Sequence, residues 1–227
     1  MHESKSDRLL GHVFLQPELL RQALTHRSYG VPHNERLEFV GDAILNCVIA
    51  LALYERFPQI PEGDLSRARA SLVNRDTLAQ LARQLELGGE IRLGEGEQKS
   101  GGAERSSIIA DALEAVFGAV FLDGGFSAAR SVIDGVFAGL LRDADPATLG
   151  KDPKTRLQEW LQARKLPVPE YTIEKTTGEA HAQQFAVDCN IPALAVRTRG
   201  NGQNRRAAEQ DAAAQAYAQA VALNANG

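Results

Sequence analysis

Four carboxylates lie in largely apolar stretches: Glu38 and Asp42 in the apolar part, from Leu37 on, of the run from Asn34 to Leu53, and Asp111 and Glu114 in the run from Ser107 to Leu122. On a helix, residues spaced i,i+4 or i,i+3 share one face about a turn apart. Each pair therefore presses two like charges together in a setting of low dielectric, which raises carboxyl pKa values and costs stability. A shared cation removes the conflict. Two such pairs meeting between apolar helices would make an oxygen-rich site for a hard divalent cation, Mg²⁺ ahead of Ca²⁺ or Zn²⁺. A single acidic pair on a helix is usually a solvated stripe or a salt-bridge partner. Spacing alone leaves the metal site and the solvated stripes both open.

The elements that must position these groups are two helices. Asn34 suits an N-cap and Glu35 a first turn, and no proline follows until Pro58. That stretch predicts one helix, apolar nearly all round and therefore buried. Ser107 to Leu122 predicts a second helix of the same buried kind. Gly41, Ala112, Ala115 and Gly118 are small enough to let the two approach closely, so the pairs are expected to converge.

The segment Glu35-Arg36-Leu37-Glu38-Phe39-Val40-Gly41-Asp42-Ala43-Ile44-Leu45 resembles the signature of the ribonuclease III family of double-stranded-RNA endonucleases, with Val40 where Leu is more usual. The helix bearing Asp111 and Glu114 is similar to that family's other acidic motif, and the resemblance runs through nearly all of the chain. It implies hydrolysis of double-stranded RNA with Mg²⁺ (Mn²⁺ able to substitute), leaving 5′-phosphate and 3′-hydroxyl ends with short 3′ overhangs. Structured transcripts, ribosomal RNA precursors among them, are the implied substrates. By the same resemblance Glu38, Asp111 and Glu114 hold the metal. Asp42 and Glu114 are the catalytic carboxylates, Asp42 orienting the attacking water or the leaving group. The resemblance further implies a homodimer with Phe39 at its interface; a plain core position for Phe39 fits the sequence equally well.

Composition sets bounds. An apolar content of 44% over 227 residues supports a real core. The net charge of −4 conceals an asymmetry: residues 1–149 carry 15 Lys/Arg against 21 Asp/Glu, and residues 150–227 carry 10 against 8. Phosphate binding needs only a local basic patch, so the total does not exclude a nucleic-acid partner. Cys47 and Cys189 form no paired framework, which suits a reducing compartment. Met1 to Phe14 lacks a secretory apolar core, and apolar runs such as Cys47 to Tyr54 read as too short to span a bilayer. A cytoplasmic chain without membrane or small-molecule cofactor is expected.

Residues 3–141 read as an all-α endonuclease domain. Its helices are expected at Pro17 to Thr25, in the signature run, at Leu65 to Val73, at Arg75 to Leu85, after Ser107 and at Phe126 to Leu141. His26 and His33, in the loop between the first two, read as surface hydrogen-bonding residues rather than ligands or bases. Gly88 to Gly102 is Gly-rich but lacks the ending and the preceding strand of a phosphate loop. A mobile loop beside the acidic cleft is expected there, with Lys99 meeting phosphate. Residues 142–150 are polar and Pro/Gly-punctuated, a linker.

From Lys151 the pattern changes to α-β-β-β-α, an α+β unit over 151–223 that resembles the double-stranded-RNA-binding domain. Its elements are a helix from Pro153 to Arg164, strands at Tyr171 to Thr176, Gln184 to Asn190 and Leu194 to Arg199, and a final Ala-rich helix from Asn204 to Leu223. Arg205 and Arg206, with Asn204, stand at that helix's N-terminus, where amides and dipole favour phosphate. By the resemblance, Thr155, Gln158, Glu159 and Gln162 on the first helix and His181 in a strand turn face the RNA minor groove. The rival readings are a non-catalytic binder of double-stranded RNA and a phosphohydrolase of small nucleotides.

Overall fold

The computed structural model describes residues 10–145, 149–178 and 183–225. The chain divides after Gly150 into two compact units, Met1–Gly150 and Lys151–Gly227.

The first unit is helical: α1 (Pro17–Ala23), α2 (Glu35–Arg56), α3 (Glu62–Leu72), α4 (Arg75–Gln84), α5 (Glu95–Lys99) and α6 (Ser106–Asp143). Helix α6 breaks at Gly125, whose φ of 73° a residue with a Cβ adopts only under strain. Its two arms therefore correspond to the two helices expected around Ser107–Leu122 and Phe126–Leu141. Leu45, Ile49 and Leu53 of α2 meet Ile109, Leu113 and Phe117 of α6 in the core, closed from the far arm by Ile133 and Phe137. The two helices touch backbone to backbone. A Cβ on Gly118 would lie 2.2 Å from the Leu37 carbonyl oxygen, so no larger residue fits there.

Several expectations need correction. Helix α2 is apolar nearly all round yet buried on one side only: Leu37, Leu45, Val48, Ile49 and Leu53 are enclosed, whereas Phe39, Cys47 and Tyr54 stay exposed. Its 22 residues also make it long and apolar enough to cross a bilayer, contrary to the estimate from the shorter apolar run. It carries four carboxylates, Glu35, Glu38, Asp42 and Glu55, and packs along α6 as a core helix. Asn34 precedes it in helical geometry without a side-chain cap bond. Helix α3 starts at Glu62 with Pro61 at its N-cap, where no intrahelical bond calls for the N–H that proline lacks. The Gly-rich stretch is not a loop. It folds into a 3₁₀ turn (Leu87–Glu90), α5 and a second 3₁₀ turn (Gly102–Glu104), drawn tight where Gly88 and Gly102 approach neighbouring backbone. Of the expected linker, Arg142 and Asp143 belong to α6, Leu149 packs on the first core, and Gly150 abuts the Arg67 carbonyl.

The second unit sets α7 (Pro153–Gln162) and α8 (Arg205–Ala225) with a three-stranded antiparallel sheet in the order β1 (Glu170–Thr177), β2 (Gln184–Ile191), β3 (Val196–Gly202). Leu157 and Leu161 pack with Cys189, Ile191, Val196 and the alanines 212, 213 and 216. Strand β3 runs on through Gly200 and Gly202, past the end expected at Arg199. The reason is contact: a Cβ at Gly200 would lie 2.1 Å from the Ala212 nitrogen, so the strand rests directly on the helix backbone.

Candidate active site and nucleic-acid interface

The close packing of α2 on α6 is what assembles the acidic site. A Cβ on Gly41 would fall 1.7 Å from the carbonyl oxygen of Glu114. With no side chain between them, the turns bearing Glu38 and Glu114 face each other. Glu38, Asp111 and Glu114 each present a carboxylate oxygen within 4.8 Å of the others, all partly buried. Burial raises the Glu38 carboxyl, with the charges of Asp111, Glu35 and Asp42 adding to it. Burial likewise raises Asp111, partly offset by Arg75 and His26. Glu114 is pushed up to about 8, by burial first and then by Asp42, Glu38 and Asp111. Among the described residues no lysine or arginine forms an ion pair with any of the three. Crowded oxygens with no ion-pair partner, and only the weaker opposing charges of Arg75 and His26, fit a hard divalent cation, since only a compact positive charge satisfies all three together.

Asp42 stands apart from this trio. It is exposed, and Asn46 Nδ2 donates to its Oδ1 at 2.8 Å. Its charge nonetheless ranks next after burial in raising Glu114. The structure thus gathers three of the four carboxylates and places the fourth at their edge.

A cleft of about 430 Å³ opens over Glu38 and Asp111, and His26, Glu97, Arg105 and Ser107 complete its walls. Arg105 pairs with Glu97 at 2.7 Å and remains half exposed. Lys99 does not line this cleft; it is 80% exposed and lies 3.6 Å from Glu95. Sequence reasoning missed Arg105, although its position directly before a helix that carries Asp111 a turn and a half later was a usable signal. His33 lies off the cleft, its Nδ1 buried and without a hydrogen bond. Phe39 is 80% exposed, so the core alternative for it is excluded within the single chain.

In the second unit, Thr155, Gln158, Glu159 and Gln162 are exposed along one side of α7, opposite the buried Leu157 and Leu161. Asp152 caps that helix by accepting from the Thr155 N–H at 3.0 Å. Asn204 has a comparable task at α8, where its Oδ1 accepts from the Ala207 N–H at 2.8 Å. Arg205 Nε donates to Glu209 at 2.8 Å, and Lys154 reaches the same carboxylate at 2.6 Å. Burial would raise Glu209, but these two partners outweigh it and hold the carboxyl below its usual range. Arg206 is exposed beside them; the Thr155 N–H chiefly holds the Asp152 carboxyl below its usual range, and the Arg206 charge adds to that. His181 lies outside the described residues.

The sequence profile of a family described as Ribonuclease-III-like matches residues 16–139, and that of the double-stranded RNA binding motif matches residues 153–219. The chain belongs to the ribonuclease III family. Curated members named Ribonuclease 3 include one from Aromatoleum aromaticum, 61% identical over 218 residues that cover 95% of this chain and 97% of the relative. Another, from Thiobacillus denitrificans, is 57% identical over 217 residues, 96% of each chain. Among solved structures, a nuclease domain of ribonuclease III from Campylobacter jejuni superposes with a TM-score of 0.60 at 39% identity, covering 64% of this chain and all of that one. A second structure of that domain, described for structural flexibility in the region involved in dimer formation, gives 0.58 at 41% identity, covering 60% of this chain and 96% of that one. The ribonuclease III helical domain and its appended double-stranded-RNA-binding motif are thus both present, and the chain is an endoribonuclease acting on double-stranded RNA.

Proposed function

We propose that this endoribonuclease hydrolyses each strand of an RNA duplex with Mg²⁺, or Mn²⁺ in its place, held by Glu38, Asp111 and Glu114. The observation that carries this reading is the trio of carboxylate oxygens within 4.8 Å, raised in pKa by burial and, among the described residues, without an ion-pair partner. When bound, the cation supplies a water activated at neutral pH and neutralises charge on the phosphate oxygens. Glu114 exchanges its proton for the cation. Asp42, exposed and steadied by Asn46, orients the attacking water or the leaving 3′-oxygen from the edge of the trio. The products are 5′-phosphate and 3′-hydroxyl ends with short 3′ overhangs, cut from structured transcripts such as ribosomal RNA precursors in the cytoplasm.

One acidic site cuts one strand, so a two-fold homodimer is the working unit. The open face of α2 supports it: Phe39 and Tyr54 stand 80% and 70% exposed on an otherwise core-forming helix. Beside Tyr54 an apolar groove of about 340 Å³ runs past Cys47, Leu51 and Leu65. Duplex RNA engages the second unit through Thr155, Gln158, Gln162 and His181 along its minor groove, and through Asn204, Arg205 and Arg206 at phosphates.

The deciding experiment incubates the full chain with duplex RNA and Mg²⁺, with and without chelator, and maps the product ends. Staggered cuts with 5′-phosphates that vanish on chelation are expected. Binding without cleavage would instead favour a non-catalytic duplex binder, and cleavage that survives chelation would remove the cation from the reading.

A further inference from the structure

His26 is a part of the cleft wall that metal binding does not explain. Its ring lines the same cleft as Glu38 and Asp111. Its backbone is fixed, because the His26 N–H donates to the Arg92 carbonyl at 3.1 Å beside a parallel bridge between Thr25 and Arg92. One ring nitrogen is committed as well. The Ser28 main-chain N–H donates to Nδ1 at 3.2 Å, and Ser28 Oγ lies 2.8 Å from the same nitrogen. An N–H can only donate, so Nδ1 presents a lone pair. Ser28 Oγ accepts from the Gly94 N–H at 3.0 Å and turns its own proton toward Nδ1. Only glycine permits that arrangement, since a Cβ at position 94 would stand 2.2 Å from the Ser28 carbonyl oxygen. The neutral ring therefore carries its proton on Nε2, which has no protein partner among the described residues.

We propose that His26 is a substrate-positioning residue whose Nε2–H donates to the sugar–phosphate backbone of the RNA strand lying in the acidic cleft. This rests on the endonuclease reading above. A cleft that holds Glu35, Glu38, Glu97 and Asp111 repels a phosphodiester, so the strand needs donors not already spent on carboxylates. Its two arginines are each paired, Arg27 with Glu35 at 3.3 Å and Arg105 with Glu97 at 2.7 Å, and the donors they keep for a phosphate do not by themselves offset four carboxylates. The ring's hydrogen bonds run only through its far nitrogen, to Ser28, while Asp111 feels its charge without bonding to it, so the Nε2 donor is preorganised and left to the strand.

The test compares steady-state cleavage of a duplex RNA by the full chain in Mg²⁺ for wild type, His26→Gln, His26→Asn and Ser28→Ala. The Gln amide nitrogen falls near the place of Nε2 and the Asn amide near that of Nδ1. Loss of a strand contact made before the chemical step raises KM and leaves kcat nearly unchanged. His26→Asn should raise KM about tenfold or more, with Gln restoring most of the loss. Ser28→Ala, which leaves the ring in place with one tether fewer, should fall between them. The reverse ranking, with Asn tolerated and Gln impaired, would make the ring a loop brace and overturn the proposal; so would unchanged KM in all variants. Should His26→Asn fail to fold by circular dichroism, nitrogen NMR of the wild-type ring decides. A proton on Nδ1, or an Nε2 signal unmoved by added duplex in the presence of Ca²⁺, defeats it. A wild-type chain that binds duplex but cuts nothing would overturn the endonuclease reading instead.

Discussion

A methyl group placed on Gly41 would stand 1.7 Å from the carbonyl oxygen of Glu114. That near-contact sets how close the two acidic helices lie, and with it whether three carboxylates can share one cation. Gly41→Ala must force the helices apart by more than a side chain's adjustment, because the opposing atom is backbone. Overpacking of this kind typically costs about 1–3 kcal/mol. The expected outcome is a lowered melting temperature together with loss of Mg²⁺-dependent cleavage; a variant that melts and cuts like wild type would disprove the role given to this contact.

Glu114 links the same contact to pH. Its folded-state pKa of about 8 lies above its ordinary value. A raised carboxyl favours the fold while protonated, so this contribution is complete below the ordinary carboxylate range and is lost as pH climbs toward 8. The chelated wild-type chain should therefore lose stability relative to Glu114→Gln as pH rises from the ordinary Glu range through 8. Added Mg²⁺ should raise the wild-type melting temperature more at alkaline than at acidic pH, and should hardly move that of Glu114→Gln, which should also not cleave. Parallel melting curves for the two chains across pH would refute the linkage.

Phe39→Asp tests the open face of α2. Because the residue is exposed, the fold should survive, while the charge should prevent two apolar faces from meeting. Sedimentation should shift from dimer to monomer, and duplex substrates should no longer receive paired cuts. A dimer that persists would move the interface to another surface.

The cleft distinguishes two cations that the sequence reading did not. Arg105 lines it and Lys99 does not. Arg105→Ala should weaken cleavage several-fold at moderate salt and lower the salt dependence of duplex binding by roughly one phosphate contact. Lys99→Ala should leave both nearly unchanged. Equal effects from the two substitutions would argue that the cleft's rim carries no particular phosphate contact.

Arg206 offers a cleaner probe of the second unit than Arg205, whose Nε already serves Glu209. Arg206→Ala should reduce duplex affinity about equally for all sequences and flatten its salt slope by about one contact without lowering the melting temperature. An unaltered slope would place the phosphate contacts elsewhere on this unit.

Much of this protein could be read from residue order, because helices and strands repeat on local periods. The spacing of Glu38 with Asp42 and of Asp111 with Glu114 set each pair on one helical face. The small residues at 41 and 118 announced a close crossing, and the change to period two after Lys151 marked the sheet. Local period says nothing about what lies opposite. Whether Asp42 would join the trio or stand at its edge, which side of α2 would stay open, and that Arg105 and His26 would line the cleft in place of Lys99 were all decided by packing. Those outcomes depend on how far apart two backbones lie and which neighbours fill the remaining space. Both are set by contacts between residues distant in sequence, such as Gly41 with Glu114 and Gly94 with Ser28.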